Sequence, residues 1–401
     1  MSDPVLFHPA RIGSLNIRNR FVRSATWEGL AAPDGGCTEE LVRLMGELAA
    51  GGVGLIISSH AYVRPEGFSL RGQLGVDRDE CIPGLARMAQ TVHDNGGRIV
   101  LQLAHGGVLA ATQLTGLPAF APSQEGGPEK TRRREMSQAD IEDTVGAYGE
   151  AALRAKRAGF DGVQVHAAHG YLLSQFLSPW FNRRADQYGG CIENRARIIL
   201  EILSSVRSAV GGGYPVLVKM NSDDFLEGGL TREDSLQAAL LIAAAGADAI
   251  ELSGGTLLSG RLSPSRAKID SVEQEAYFRD AARALKPKLK IPLVLVGGIR
   301  SFDVAEGLVR DGVADFVSLS RPFIREPGLV SRWKRGDRRR APCLSANRCF
   351  RPAMRGTGFY CVVEKEGRAE VQKCGGADKR KGFFCSFYLP LFFSSFVSRR
   401  R

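Results

Sequence analysis

No stretch of the chain offers the ~18 consecutive apolar residues that suggest a membrane-spanning helix. The apolar stretch Phe383–Val397 covers 15 residues and is broken by serines and Pro390. The opening MSDPVLFHPARIG lacks the basic flank and apolar core of a signal peptide, so a cytoplasmic location is expected. The eight cysteines, at 37, 81, 191, 343, 349, 361, 374 and 385, are too scattered for a disulfide scaffold, and a reducing compartment is the simpler reading. Acidic residues are in deficit, which leaves a formal charge of +11. Residues 371–401 account for +6 of it, so the body carries only +5. The basic clusters KTRRR (130–134) and KRGDRRR (334–340) lack the groove-reading elements of a nucleic-acid face and read as solvated surface. No nucleic-acid partner and no membrane association are expected. An interfacial anchor in the tail is the weaker reading, and a disordered extension over 371–401 the stronger. The first strand candidate leads into ATWEGLAAPDGG, which is no G-x-G-x-x-G phosphate loop, and no H-E-x-x-H appears.

What the chain has is alternation. Eight short, nearly continuous apolar runs fall at 21–26, 54–61, 98–105, 161–168, 215–221, 248–255, 292–299 and 315–322. Such runs suit parallel strands covered on both faces. Amphipathic stretches lie between them, including 38–50, 138–158, 194–210 and 234–245, and Thr38 and Ser137 stand as helix N-caps for two. Eight βα units in order predict an α/β fold, a (β/α)8 TIM barrel forming one domain with a C-terminal extension, over a doubly wound open sheet. The expected divisions are a barrel over 1–340, a cysteine-containing segment over 341–370 and a basic, apolar tail over 371–401. Residues 6–18 read as a hairpin closing the barrel bottom. The Pro/Gly-rich insertion 106–136 is expected to overhang the active site at the strands' C-terminal ends.

A barrel gathers distant residues at those ends. They are Thr26-Trp27, Ser59-His60, Gln102 with His105, His166 with His169 and Tyr171, Lys219 with Asn221, Ser253-Gly254-Gly255, Gly297-Gly298 and Ser320-Arg321. Glycines after strand seven and an arginine after strand eight suit a phosphate, although glycines are common at such turns. Gln102 and Lys219 together suit a flat heterocycle that gains negative charge on reduction. Each also has a plainer reading, as a satisfied buried amide and a structural ion pair. In VQVHAAHGY, His166 and His169 could be metal ligands, core histidines or hydrogen-bond donors. The missing glutamate and third ligand argue against metal, so none is expected. Tyr171 reads as an acid or a packing tyrosine, and His105 as structural.

These stretches resemble the Old Yellow Enzyme family of flavin oxidoreductases, in the branch related to the barrel of 2,4-dienoyl-CoA reductase. The likeness is carried by NRFVRSA (19–25), GGVGLII (51–57), QLAHGG (102–107), the long stretch 158–190 around HAAHGY, IENRAR (192–197), GGI (297–299) and ADFVSLSRPFIREP (314–327). The resemblance implies non-covalent FMN, with Gln102 and Lys219 at the pyrimidine edge and backbone at Ala25, Thr26 and His60 along the ring. Gly297, Gly298, Ser320 and Arg321 would hold the phosphate. His166 and His169 would bind the substrate oxygen, and Tyr171 would deliver a proton. The implied activity passes hydride from NADH or NADPH, through FMN, to the activated C=C bond of a small-molecule substrate. A flavin-binding barrel without turnover, or demethylation or dehydrogenation of a larger substrate, stays open as an alternative, as does a homo-oligomer. Trp27 stands where relatives carry Thr, Cys or His, which implies a narrowed pocket and an altered flavin potential. The dienoyl-CoA reductase branch holds an iron–sulfur cluster with C-x2-C-x3-C. Here Cys343-Leu-Ser-Ala-Asn-Arg-Cys349 has Ala346 at the second ligand position, so no cluster is expected. The longer relatives append an FAD-binding half, which this sequence does not contain, so no internal electron relay is expected.

Overall fold

The computed structural model describes residues 3–127 and 132–366, and the tail expected over 371–401 lies outside them. Eight parallel strands close a barrel in sequence order, the eighth pairing with the first. They run Phe21–Arg23, Leu55–Tyr62, Arg98–Ala104, Gly162–Ala167, Val216–Asn221, Ala249–Ser253, Leu293–Val296 and Phe316–Leu319. The predicted TIM barrel is therefore the observed fold.

The strand period of two explains the barrel wall. In the third strand Ile99, Leu101 and Leu103 belong to the large core beneath the helices, whereas Val100 belongs to a separate inner cluster. The fifth strand repeats this, with Val216, Val218 and Met220 outward and Leu217 inward. The sixth follows, with Ile250 and Leu252 outward and Ala249 inward. The inner cluster fills the lower barrel, and the hairpin Ala10–Ile12/Leu15–Ile17 plugs it with Ile12, Leu15 and Ile17. Further along five of the strands the inward positions turn polar: Gln102, Gln164, Lys219, Glu251 and Ser318, all buried. Register places Gln102 beside Gln164, His166 beside Lys219 and Lys219 beside Glu251. The barrel is thus apolar at its base and polar at its mouth.

Helix starts follow local chemistry. Thr38 accepts a hydrogen bond from the Leu41 amide, and Ser137 with Asp140 forms a capping box. Residues through Cys361 form one compact unit, so the cysteine-containing segment is continuous with the barrel to that point. The second unit begins at Val362. No described helix is long and apolar enough to cross a membrane.

The described residues of the insertion 106–136 do not overhang the site. None of its described residues lines the cavity at the barrel mouth. Its apolar side chains find burial to one side instead: Val108 and Ala121 cluster with Phe181, and Phe120 stacks on His105 at 5.8 Å. The Val108 amide donates to Gln175 Oε1 at 3.2 Å, which pins the segment to the short helix Leu172–Leu177.

Candidate active site

A cavity of about 470 Å3 opens at the C-terminal ends of the strands. Ala25, Thr26, Trp27, His60, Gln102, His166, His169, Tyr171, Lys219, Gly298, Ser320 and Arg321 all line it. Gly297 stands behind the wall, where its carbonyl accepts from the Tyr277 amide at 3.1 Å.

The floor is a polar chain. Gln102 Nε2 donates to Gln164 Oε1 at 2.7 Å, and Gln164 Nε2 donates to Glu251 Oε2 at 2.9 Å. Glu251 Oε1 accepts from Ser24 at 2.7 Å and Ser318 at 2.9 Å, and pairs with Lys219 Nζ at 3.2 Å. Lys219 also donates to Ser24 Oγ at 2.7 Å. Burial pushes the Glu251 carboxyl upward, but Lys219 and the three hydrogen bonds outweigh it and hold it below the usual range. Lys219 and Gln102 are thus each tied into a structural network, and each also lines the cavity. Glu251, Gln164, Ser24 and Ser318 were not anticipated from sequence. A carboxylate inside the apolar run DAIELSGG was the available signal.

One wall carries the rings. The Tyr171 hydroxyl lies 3.1 Å from His60 Nε2, and the His166 ring lies 4.7 Å from Tyr171 and 5.2 Å from His169, centroid to centroid. His60 reaches this wall through a bulge. Register shifts between Ile57 and His60, so one extra residue turns the His60 side chain inward beside Gln102. His169 takes a left-handed backbone, φ +65°, with its amide on Asn221 Oδ1 at 3.1 Å and Nε2 on Ser253 Oγ at 2.8 Å. Burial lowers the His60 pKa to about 4. Burial first, then neighbouring positive charge, keeps His166 and His169 well below the ordinary histidine value. All three rings are neutral at pH 7, and burial raises the Tyr171 phenol, which keeps its proton. His166 Nδ1 is buried with no partner among the described residues. His105 is structural, accepting from the Gly107 amide at 3.1 Å under Phe120.

Trp27 closes another side. Its indole N–H donates to the Arg71 carbonyl at 3.2 Å, so it offers the cavity a bulky face and no donor. Among the described residues no group of three or more His, Cys, Asp or Glu is arranged to hold a metal. Cys343, Cys349 and Cys361 are free thiols.

The far end suits an anion. A Cβ at Gly298, φ +72°, would meet Tyr277 Cε1 at 2.6 Å, so only glycine fits and the backbone is left bare there. Arg300 and Arg321 line the same cavity. A bare backbone at Gly298 with Arg321, and Gln102 with Lys219, all lining one cavity, are groups of the kind that the phosphate and ring of FMN need.

A closed (β/α)8 barrel with these groups at its mouth defines a flavin-binding barrel. The model of the NADH:flavin oxidoreductase / NADH oxidase family matches residues 5–339, and the chain belongs to that family. The family is FMN-dependent, so the chain is of the Old Yellow Enzyme-like flavoprotein class. It is 37% identical over 350 residues to an NADH oxidase of Thermoanaerobacter brockii, covering 86% of this chain and 53% of that one. The chain thus spans about half the length of the first curated relatives it matches. Among solved structures, a 2-naphthoyl-CoA reductase complex superposes with a TM-score of 0.83 at 29% identity, covering 90% of this chain and 56% of the other. An Old Yellow Enzyme homologue from Zymomonas mobilis gives 0.71 at 29% identity, covering 83% and 93%.

Proposed function

We propose that this chain is an ene-reductase, reducing the C=C bond of small molecules activated by a carbonyl or related group. The observation that carries this reading is the convergence of His166, His169 and Tyr171 on one cavity wall, beside the Gln102–Lys219 edge. When bound, FMN supplies the hydride that it takes from NADH or NADPH. Gln102 and Lys219 would hold its pyrimidine edge, and Gly298 and Arg321 its phosphate. His166 and His169, as neutral rings, aim N–H donors at the substrate oxygen. Negative charge builds on that oxygen as the β-carbon receives hydride, and one well-placed donor stabilises it by about 3 kcal/mol. The phenol of Tyr171, protonated at neutral pH, then gives its proton to the α-carbon. Trp27, with Leu257, Phe350 and Met354 at the cavity edge, excludes water and favours an apolar substrate body.

The test is spectroscopic. Purified protein should be yellow, lose flavin absorbance anaerobically with NADH or NADPH, and regain it on adding cyclohexenone. Bleaching without recovery by any enone overturns the alkene reading. A yellow protein that neither nicotinamide bleaches points to flavin binding without turnover.

A further inference from the structure

The segment Cys343–Cys349 is folded around Arg321. Asn347 Oδ1 accepts from Arg321 Nη1 at 2.6 Å, and the same nitrogen donates to the Arg266 carbonyl at 2.8 Å. Asn347 is itself fixed: Nδ2 donates to the Ser265 carbonyl at 2.6 Å, and Ser265 Oγ donates to Oδ1 at 3.3 Å. The Lys268 amide donates to the Ser345 carbonyl at 3.2 Å. Two loops far apart in sequence are thereby laced together, with Arg321 bonded to both. Ser345 and Asn347 hold left-handed backbones, φ +51° and +55°, which asparagine tolerates and serine adopts only where its surroundings impose it. Ser345 is 1% exposed and Arg321 8%. Ser265, Ser345 and Arg321 all line the cavity at the Gly298 end.

A guanidinium has five N–H donors. Here Nη1 is occupied by the two loops, and the side chain also approaches the Tyr277 hydroxyl. The remaining donors are held in one orientation. Arg300 lines the same end, its own Nη1 on the Ile269 carbonyl at 2.6 Å. Arg300 and Arg321 repel each other as like charges, while the buried Glu275 carboxylate acts on Arg300 as a counter-charge.

We propose that the 343–349 loop is an anion clamp, in which Asn347 positions Arg321 on the FMN phosphate and so makes the site select FMN over riboflavin. Asn347 is a positioning residue, acting through Arg321. The proposal rests on the FMN site and is independent of the alkene reading.

Riboflavin lacks the phosphate and has the same ring, which makes it the control. Full-length chain, stripped of flavin, is titrated with FMN and with riboflavin while flavin fluorescence is followed. Asn347→Ala should raise the FMN Kd about tenfold, as loss of a hydrogen bond to a charged group does, and leave the riboflavin Kd within about twofold. Arg321→Ala should act likewise, and the double variant should lose no more than Arg321→Ala alone. Where Asn347→Ala does not fold, Asn347→Ser, which draws the acceptor away from Arg321, carries the same comparison. Equal losses for FMN and riboflavin would assign the loop to fold support alone. An unchanged FMN Kd, or additive losses in the double variant, would also overturn the proposal.

Discussion

The Tyr171 hydroxyl and His60 Nε2 lie 3.1 Å apart in a buried pair, the two rings edge to face at 78°. With Nε2 protonated, His60 donates to the phenol oxygen and leaves the phenol proton for the substrate. It also stabilises the tyrosinate left after transfer. Tyr171→Phe should cut the rate of flavin reoxidation by an enone at least a hundredfold, the scale of general-acid catalysis. His60→Leu should cut it about tenfold, as loss of one hydrogen bond to a developing charge does. Neither change should alter flavin reduction by NADH or NADPH to the same degree. Stopped-flow measurement of the two half-reactions checks this, and equal slowing of both would remove His60 from the proton-transfer unit.

Lys219 and Glu251 form a buried ion pair at 3.2 Å, with side chains 3% and 0% exposed. Lys219→Met would leave the carboxylate with Ser24, Ser318 and Gln164 as partners and no counter-charge. Breaking one side of such a pair typically costs about 3–5 kcal/mol. Lys219→Met/Glu251→Gln, which removes both charges, should recover part of that loss. Denaturant unfolding of both variants under saturating FMN measures the difference. A double variant less stable than the single one would contradict the account.

Stability should fall on acidification through histidine. Burial holds His60 at about 4 and His105 at about 3, and His166 and His169 also lie well below the ordinary value of 6.5. A histidine whose folded pKa lies below its unfolded one contributes stability that is present above pH 6.5. That stability is lost as pH falls toward the folded pKa, because the unfolded chain binds protons the folded chain refuses. The unfolding temperature should therefore drop between pH 6.5 and pH 4, and His105→Gln should flatten the slope. A flat profile across that window would mean that these rings are not held neutral.

The period-two reading made much of this site legible. Gln102 and Lys219 stand two residues beyond the inward-facing Val100 and Leu217, so alternation alone aims them at the barrel mouth. Gln164 and Glu251 obey the same rule and escaped notice because each sits singly inside an apolar run. His60 was foreseen through its backbone alone, since the bulge after Ile57 reverses the parity that alternation predicts. The placement of insertion 106–136 depends on which apolar surface it finds, and that surface, around Phe181 and His105, exists only in the folded chain. The role of Asn347 depends likewise on a loop 82 residues away in sequence.

Trp27 sets the shape of the entrance. Its indole N–H donates to the Arg71 carbonyl and the ring lies edge-on to Phe359, with centroids 6.3 Å apart, contacts that swinging aside for a bulky substrate would break. Trp27→Ala removes that wall and the hydrogen bond together. Activity should shift toward enones bearing bulky ring substituents, with kcat/KM for them relative to cyclohexenone rising about tenfold, the scale of a steric change in an apolar pocket. Because the indole N–H serves Arg71, the flavin midpoint potential should stay unchanged, and Trp27→Cys should likewise change substrate range alone. A substrate panel and a redox titration of each variant check both halves. A shifted potential with an unchanged substrate range would show that Trp27 acts on the flavin and not on the entrance.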